Sequence, residues 1–184
     1  SLAPALAAGN AVVIKSPELT PLAMTWLVTA CQRANVPAGA VNLLNGKGSV
    51  AGAALVEHPD INQIVFTGSV PTGQLILQSA AKYAVPSVME LGGKSPVVIA
   101  PDMPIDTAVE RLIFGKCLNA GQICVAPDYI LCPKDKVEEF IASYQKQFQT
   151  MYGDKHQSTD YAHVINSSQH NRLLSWLDDA VSKG

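Results

Sequence analysis

Two side chains have the type and setting for covalent and acid–base chemistry. Cys124 lies in Asn119-Ala120-Gly121-Gln122-Ile123-Cys124-Val125-Ala126-Pro127-Asp128-Tyr129, a stretch of mostly small residues. An amphipathic segment ending near Cys117 precedes it, and a strand-like run, Tyr129-Ile130-Leu131-Cys132, follows. A thiol on a loop between two rigid elements is where a nucleophile is placed. A buried cysteine packing as a small hydrophobe is the other reading. Glu90 lies in the apolar run Ser87-Val88-Met89-Glu90-Leu91, just ahead of Gly92-Gly93. Partial desolvation there would raise its pKa and fit it for general-base work; a strand-end acid in an ion pair is the alternative.

Candidates for anion and nucleotide binding lie upstream. Gly68-Ser69-Val70-Pro71-Thr72-Gly73 falls between a strand-like and a helical run. Backbone N–H groups at a helix N-terminus, with glycines that let a ligand come close, suit a pyrophosphate. The spacing departs from the usual dinucleotide G-x-G-x-x-G, and an ordinary strand-to-helix turn is the competing reading. Lys15 and Glu18 follow the first strand, whose end faces the ligand crevice in a doubly wound sheet. A carboxylate there accepts hydrogen bonds from a ribose 2′-OH and repels a 2′-phosphate; a solvated surface pair is the alternative. Gly93-Lys94-Ser95 mimics the end of a P-loop, but the motif's earlier glycine would fall at Val88, and a strand follows Pro96. A nucleoside triphosphate site is rejected.

The elements that must position these residues read as alternating strands and helices. Ala11–Lys15, Val41–Leu44, Ile64–Phe66, Ser87–Leu91, Val97–Ala100 and Tyr129–Cys132 are short, largely apolar runs, the pattern of parallel strands buried on both faces. Thr20-Pro21 opens a helix to about Ala34, a short helix spans Ser49 to Glu57, and Thr67-Gly68-Ser69 opens one running to about Lys82. Ile105, Ala108, Val109, Leu112 and Ile113 make one apolar stripe; Val137, Phe140, Ile141, Tyr144 and Phe148 make a second. Leu173, Leu174, Leu177, Ala180 and Val181 make a third, and Gly153 to Tyr161 reads as a polar loop. The alternation predicts an α/β fold with a doubly wound, Rossmann-like parallel sheet, and a domain boundary near Leu91 to Gly93 dividing residues 1–91 from 92–184.

The 184 residues are half apolar and carry a net charge of −2. The absence of a basic run argues against nucleic acid as the main partner. No apolar stretch approaches the roughly 20 residues that span a bilayer. The four cysteines, Cys31, Cys117, Cys124 and Cys132, form no C-x-x-C pair and no zinc-spaced cluster with histidine. They read as reduced thiols of a cytoplasmic protein. The start at Ser1 and the stop at Gly184 suggest an internal fragment of a longer chain.

Taken together, the segments resemble the aldehyde dehydrogenase superfamily along essentially the whole chain. The resemblance is carried by Pro4-Ala5-Leu6-Ala7-Ala8-Gly9-Asn10 with Val13-Ile14-Lys15 and Glu18, and by Phe66-Thr67-Gly68-Ser69 with Gly73. It continues in Glu90-Leu91-Gly92-Gly93-Lys94-Ser95-Pro96 and Gly121-Gln122-Ile123-Cys124, which match the family's glutamate and cysteine signatures. Ala126-Pro127-Asp128-Tyr129, Val164-Ile165-Asn166 and His170-Asn171-Arg172-Leu173 resemble the class 3 branch, which includes fatty, aromatic and coniferyl aldehyde dehydrogenases. Ser16-Pro17 departs from the Pro-Ser of many relatives, but Glu18 keeps its spacing from Lys15.

The resemblance implies a cofactor domain over residues 1–91 and the first part of a catalytic domain over 92–184. Cys124 matches the nucleophile and Glu90 the general base. Lys15 and Glu18 match residues that hold the adenosine ribose, and Gly48 a turn beside the adenine. Thr67, Gly68, Ser69 and Gly73 match the pyrophosphate turn, and Leu91 matches the residue whose backbone lies beside the nicotinamide. The implied cofactor is NAD, with NADP possible, no metal is implied, and the substrate is a small aldehyde oxidised through a Cys124 thioester that Glu90-activated water releases. The parent protein is expected to be a homodimer or homotetramer. The family's oxyanion-hole asparagine and its Glu-x-Phe-Gly-Pro glutamate, which grips the nicotinamide ribose, have no match here, so the fragment alone is expected to be inactive. An acylating dehydrogenase is disfavoured by Glu90, which suits water as acceptor. A noncatalytic NAD-binding or structural relative is disfavoured by the presence of both Glu90 and Cys124.

Overall fold

Short β-branched runs become strands wherever an apolar stretch stops after four or five residues. In the computed structural model, which describes residues 1–154 and 158–184, the strands are β1 (Val12–Lys15), β2 (Val41–Leu44), β3 (Ile64–Thr67), β4 (Ser87–Glu90), β5 (Ser95–Val98) and β6 (Pro127–Leu131). The helices are α1 (Leu2–Ala7), α2 (Pro21–Arg33), α3 (Ala53–Val56), α4 (Val70–Ala81), α5 (Ile105–Cys117), α6 (Val137–Tyr152) and α7 (Ser167–Lys183). Strand pairing is parallel throughout: Val12 to Lys15 lie opposite Val41 to Leu44, Ile64 to Thr67 opposite Ser87 to Glu90, and β5 beside β6. A helix bridges each pair, as a parallel connection requires. The expected parallel α/β architecture is present, with its hydrogen bonding organised as three two-stranded pairs.

The chain divides into two compact units, Ser1–Leu91 and Gly92–Gly184. The first holds the β1–α2–β2 and β3–α4–β4 repeats. Pro21 begins α2 as expected, yet the Thr20 hydroxyl makes no capping bond. The single short helix expected from Ser49 to Glu57 is split into a wide π-type turn over Gly48–Gly52 and α3. The Lys47 carbonyl accepts from the N–H groups of Val50, Ala51 and Gly52 at once, which widens that turn. Glu57 pairs with Lys82 at 3.1 Å on the exposed surface, a contact worth at most about 1 kcal/mol.

The second unit is built on two helices with matching four-residue spacing. Ile105, Val109, Ile113 and Cys117 form one buried face of α5, joined by Ile99 after β5. Phe140, Tyr144, Phe148 and Tyr152 of α6 pack against that face, row against row. Val137 and Ile141, expected in the same stripe, are exposed instead. Tyr161 stacks edge-on against Phe148 and Tyr152 of α6, with ring centroids 5.4 and 5.0 Å apart. Tyr144 OH lies 3.3 Å from the Cys117 sulfur. Burial, reinforced by that thiol, holds its proton well above the ordinary tyrosine range.

Two further sequence expectations shift here. Strand β5 starts at Ser95 rather than Val97, and its register slips between Ser95 and Pro96, where proline has no N–H for the ladder. The apolar stripe of α7 is not core: the helix has no buried residue, and Leu177 and Val181 are largely exposed. Of the loop expected over 153–161, residues 155–157 lie outside the described residues.

Candidate active site

Lys15, Glu18 and Gly48 come together at the C-terminal ends of β1 and β2. Ser16, fully buried, extends the pairing by donating its N–H to the Leu44 carbonyl at 3.0 Å, and its hydroxyl donates to Asn45 Oδ1. That link holds the two strand ends together and fixes the Ser16-Pro17-Glu18 turn. Glu18 Oε2 then accepts the Gly48 N–H at 3.0 Å. The open side of Gly48 faces Lys15 Nζ, which would lie 4.0 Å from an added Cβ. A carboxylate braced by a backbone N–H, beside an ammonium and a bare glycine, can accept a ribose hydroxyl through its second oxygen.

The second cluster sits where β3 and β4 end. Thr67 pairs in register with Glu90, and the Gly68 N–H donates to the Glu90 carbonyl at 3.0 Å. Ser69 is the residue before α4, but its hydroxyl bonds Thr72 Oγ1 at 3.0 Å and caps no N–H. The first turn of a 12-residue helix thus presents N–H groups without a side-chain cap, a setting that fits an anion such as a pyrophosphate. The two glycines of this turn make room for neighbouring side chains. A Cβ on Gly68 would stand 2.5 Å from the Phe66 ring, and one on Gly73 would stand 2.7 Å from the Leu91 side chain. The space they free is filled by the protein's own residues. Gly73 is buried against Leu91, which fixes that leucine's position.

Glu90 is exposed. Strand β4 alternates, with Ser87 and Met89 half-buried and Val88 and Glu90 turned outward. The partial desolvation expected of the Glu90 carboxylate is therefore not present.

Cys124 belongs to the second unit and follows a strained turn. Helix α5 ends at Cys117, and a short 3-10 turn over Leu118–Gly121 carries Asn119, Ala120 and Gly121 at φ of 53°, 54° and 74°. Three successive left-handed residues reverse the chain. Glycine takes this conformation freely and asparagine tolerates it, whereas alanine is strained there by about 1–2 kcal/mol. The Ala126 N–H then closes a turn on the Ile123 carbonyl at 3.0 Å, with Cys124 inside it. Cys124 is exposed; Cys117, seven residues earlier, is the buried thiol.

Braces surround this turn. Lys116 Nζ donates to the Pro127 carbonyl at 2.8 Å, joining the end of α5 to the start of β6. Lys94 pairs with Asp128 at 3.5 Å. Gly93 lies so close that an added Cβ would come within 2.3 Å of the Cys124 carbonyl oxygen. The Gly93-Lys94-Ser95 run therefore serves the cysteine turn, and Ser95 opens a strand instead of a P-loop helix. Sequence reasoning gave no role to Gly93, Lys94, Asp128 or Gln122. They were visible in the sequence only as members of the Glu90–Pro96, Gly121–Cys124 and Ala126–Tyr129 motifs.

The first unit thus brings Lys15, Glu18 and Gly48 together at parallel strand ends, and the second carries an exposed thiol three residues after a left-handed turn. All 184 residues match the aldehyde dehydrogenase family, and the chain belongs to that family. It is 41% identical over 180 residues to a "Probable coniferyl aldehyde dehydrogenase" of Pseudomonas aeruginosa, covering 98% of this chain and 37% of that protein. It is 37% identical to a D-glyceraldehyde dehydrogenase (NADP(+)) of Picrophilus torridus, covering 100% of this chain and 37% of the relative. It superposes on a mutant of aldehyde dehydrogenase C from Pseudomonas syringae, complexed with NAD+ and octanal, with a TM-score of 0.90 at 33% identity. That match covers all of this chain and 38% of the other. The chain spans about 37% of the length of these curated relatives.

Proposed function

We propose that the protein oxidises an aldehyde to its carboxylic acid with NAD, NADP being the second candidate, using Cys124 as nucleophile and Glu90 as general base. The observation that carries this reading is the exposed Cys124 thiol on a turn braced from Gly93, Lys116 and Asp128. A packing cysteine needs no such turn. Glu18 and Lys15, with Gly48, are proposed to hold the adenosine ribose, and the Glu18 carboxylate favours a free 2′-hydroxyl over a 2′-phosphate. Thr67, Gly68, Ser69 and the open start of α4 are proposed to take the pyrophosphate, with Gly73 setting Leu91 beside the nicotinamide. When bound, the nicotinamide supplies a two-electron acceptor for hydride.

The chain's own residues carry the remaining steps. The Cys124 thiolate attacks the aldehyde carbon, forming a C–S bond and an oxyanion held by the Cys124 backbone N–H with a further donor. Oxidation of that adduct leaves an acyl thioester on Cys124. Glu90 takes a proton from water, the water oxygen attacks the thioester carbonyl, and the acid departs as the thiol is restored. An aromatic or fatty aldehyde of coniferyl type is the proposed substrate, in keeping with the 41% identity to a probable coniferyl aldehyde dehydrogenase. The activity is proposed for a protein of family length, as a homodimer or homotetramer, with residues 1–91 as part of the cofactor domain and 92–184 as part of the catalytic domain; the 184 residues alone are proposed to be inactive.

Steady-state assay of the full-length protein over aromatic and straight-chain aldehydes, with NAD and with NADP, tests the reading. Cys124→Ala is expected to abolish turnover with every aldehyde. Retention of wild-type kcat by that variant removes Cys124 from the mechanism.

A further inference from the structure

Gln122 commits its side-chain amide entirely to backbone. Its Nε2 donates to the Asn119 carbonyl at 2.9 Å and to the His163 carbonyl at 3.1 Å, and its Oε1 accepts the Ile165 N–H at 3.0 Å. Both donors and one acceptor position of the amide are thereby used. Asn119 Nδ2 donates back to the Gln122 carbonyl at 3.3 Å. One amide therefore grips the left-handed turn at Asn119 and, 41 and 43 residues later, the segment that precedes α7.

That distant segment is itself anchored. Asn166 caps α7 by accepting the Gln169 N–H at 2.9 Å. Tyr161, just upstream, is wedged against Phe148 and Tyr152 of α6. The far end of the link is thus fixed to two helices. The near end holds Asn119 and Ala120, non-glycine residues at positive φ, which persist only where their surroundings over-determine them. Freed from the link, Ala120 relaxes toward the right-handed or extended regions, and the chain four residues on turns with it.

We infer that Gln122 is a positioning residue for the Cys124 thiol, holding the left-handed Asn119–Gly121 turn in place by tying it to His163 and Ile165. The inference rests on the reading of Cys124 as the nucleophile. Gln122 itself touches backbone alone and takes no part in bond making.

Two variants in the full-length protein test it. Gln122→Met keeps the side chain's length and removes every hydrogen bond; Gln122→Glu keeps the acceptor for Ile165 and loses both donors. The readouts are kcat and KM for aldehyde oxidation, melting temperature, and the rate of Cys124 alkylation by iodoacetamide, followed on the Cys124 peptide by mass spectrometry. Gln122→Met is expected to lower kcat about 100-fold, the scale of an ångström-sized misplacement, with little change in the KM for the dinucleotide. The rate of Cys124 alkylation is expected to change as the thiol is displaced, and Gln122→Glu to fall between the two proteins. Wild-type kcat together with a wild-type alkylation rate in Gln122→Met overturns the inference. So does a lowered melting temperature with both other readouts unchanged, the mark of a merely structural role. If Gln122→Met does not fold, Gln122→Glu decides by the same readouts. Wild-type turnover by Cys124→Ala would sink the nucleophile reading itself, whereas an inactive Cys124→Ala beside a normal Gln122→Met sinks the positioning role alone.

Discussion

At Gly93 a hydrogen stands where a methyl group would come within 2.3 Å of the Cys124 carbonyl oxygen. Backbone cannot yield as a flexible side chain does, so a methyl there must push the cysteine turn away. Gly92, its neighbour, has nothing within 4 Å of its own Cβ position. Gly93→Ala is expected to lower kcat about 100-fold through displacement of Cys124, with Gly92→Ala near wild type in the same assay. Equal rates for the two variants would show that the close approach does not set the thiol's position. The sequence made Gly93 visible as part of a motif, but nothing in it distinguished Gly93 from Gly92. That difference depends on which of the two meets a turn 31 residues away. Ala120 was hidden for the opposite reason: alanine has no preference for a left-handed backbone, so only the structure reveals it.

The α5 and α6 helices face each other along rows of every fourth residue, and Tyr144 stands in that interface with its hydroxyl 3.3 Å from the Cys117 sulfur. Burial first, then the neighbouring thiol, raises its pKa above the ordinary value of 10.0. Tyr152 and Tyr161 are raised for similar reasons. Below about pH 10 the tyrosine is protonated in folded and unfolded chains alike, and the stabilisation is fully present. Above that, the unfolded chain releases the proton while the folded one keeps it, so stability falls as pH rises toward the folded pKa. The melting temperature is expected to drop more steeply above pH 10 in the wild type than in Tyr144→Phe, with a residual slope from Tyr152 and Tyr161. Parallel slopes would remove Tyr144 from the alkaline transition. These helices were legible in the sequence because their apolar residues recur at helical spacing. The exposure of Val137 and Ile141 was not, since the stripe does not reveal which edge of a helix its neighbour covers. The four-residue strands were equally legible as apolar runs, apart from β5, where proline disturbs the register.

Across the whole molecule, the ribose and pyrophosphate candidates fall in Ser1–Leu91 and Cys124 in Gly92–Gly184. The parallel α/β layout and the family were readable from motif residues, because the chemistry demands particular types at particular strand ends. The bracing of the cysteine turn was not, because Gln122, Lys94, Lys116 and Asp128 act through contacts with segments distant in sequence. Nor did the sequence show that Gly68 and Gly73 accommodate Phe66 and Leu91. The central claim, that Cys124 carries the acyl group and Glu90 delivers water to it, meets its most direct test in a trapped intermediate. Full-length Glu90→Gln is mixed with aldehyde and NAD, quenched in acid and digested, and its cysteine peptides are weighed. The expected result is an acyl mass on the Cys124 peptide that accumulates in Glu90→Gln and drains in the wild type. An acyl group on another residue, or none while product still forms at the wild-type rate, would contradict it.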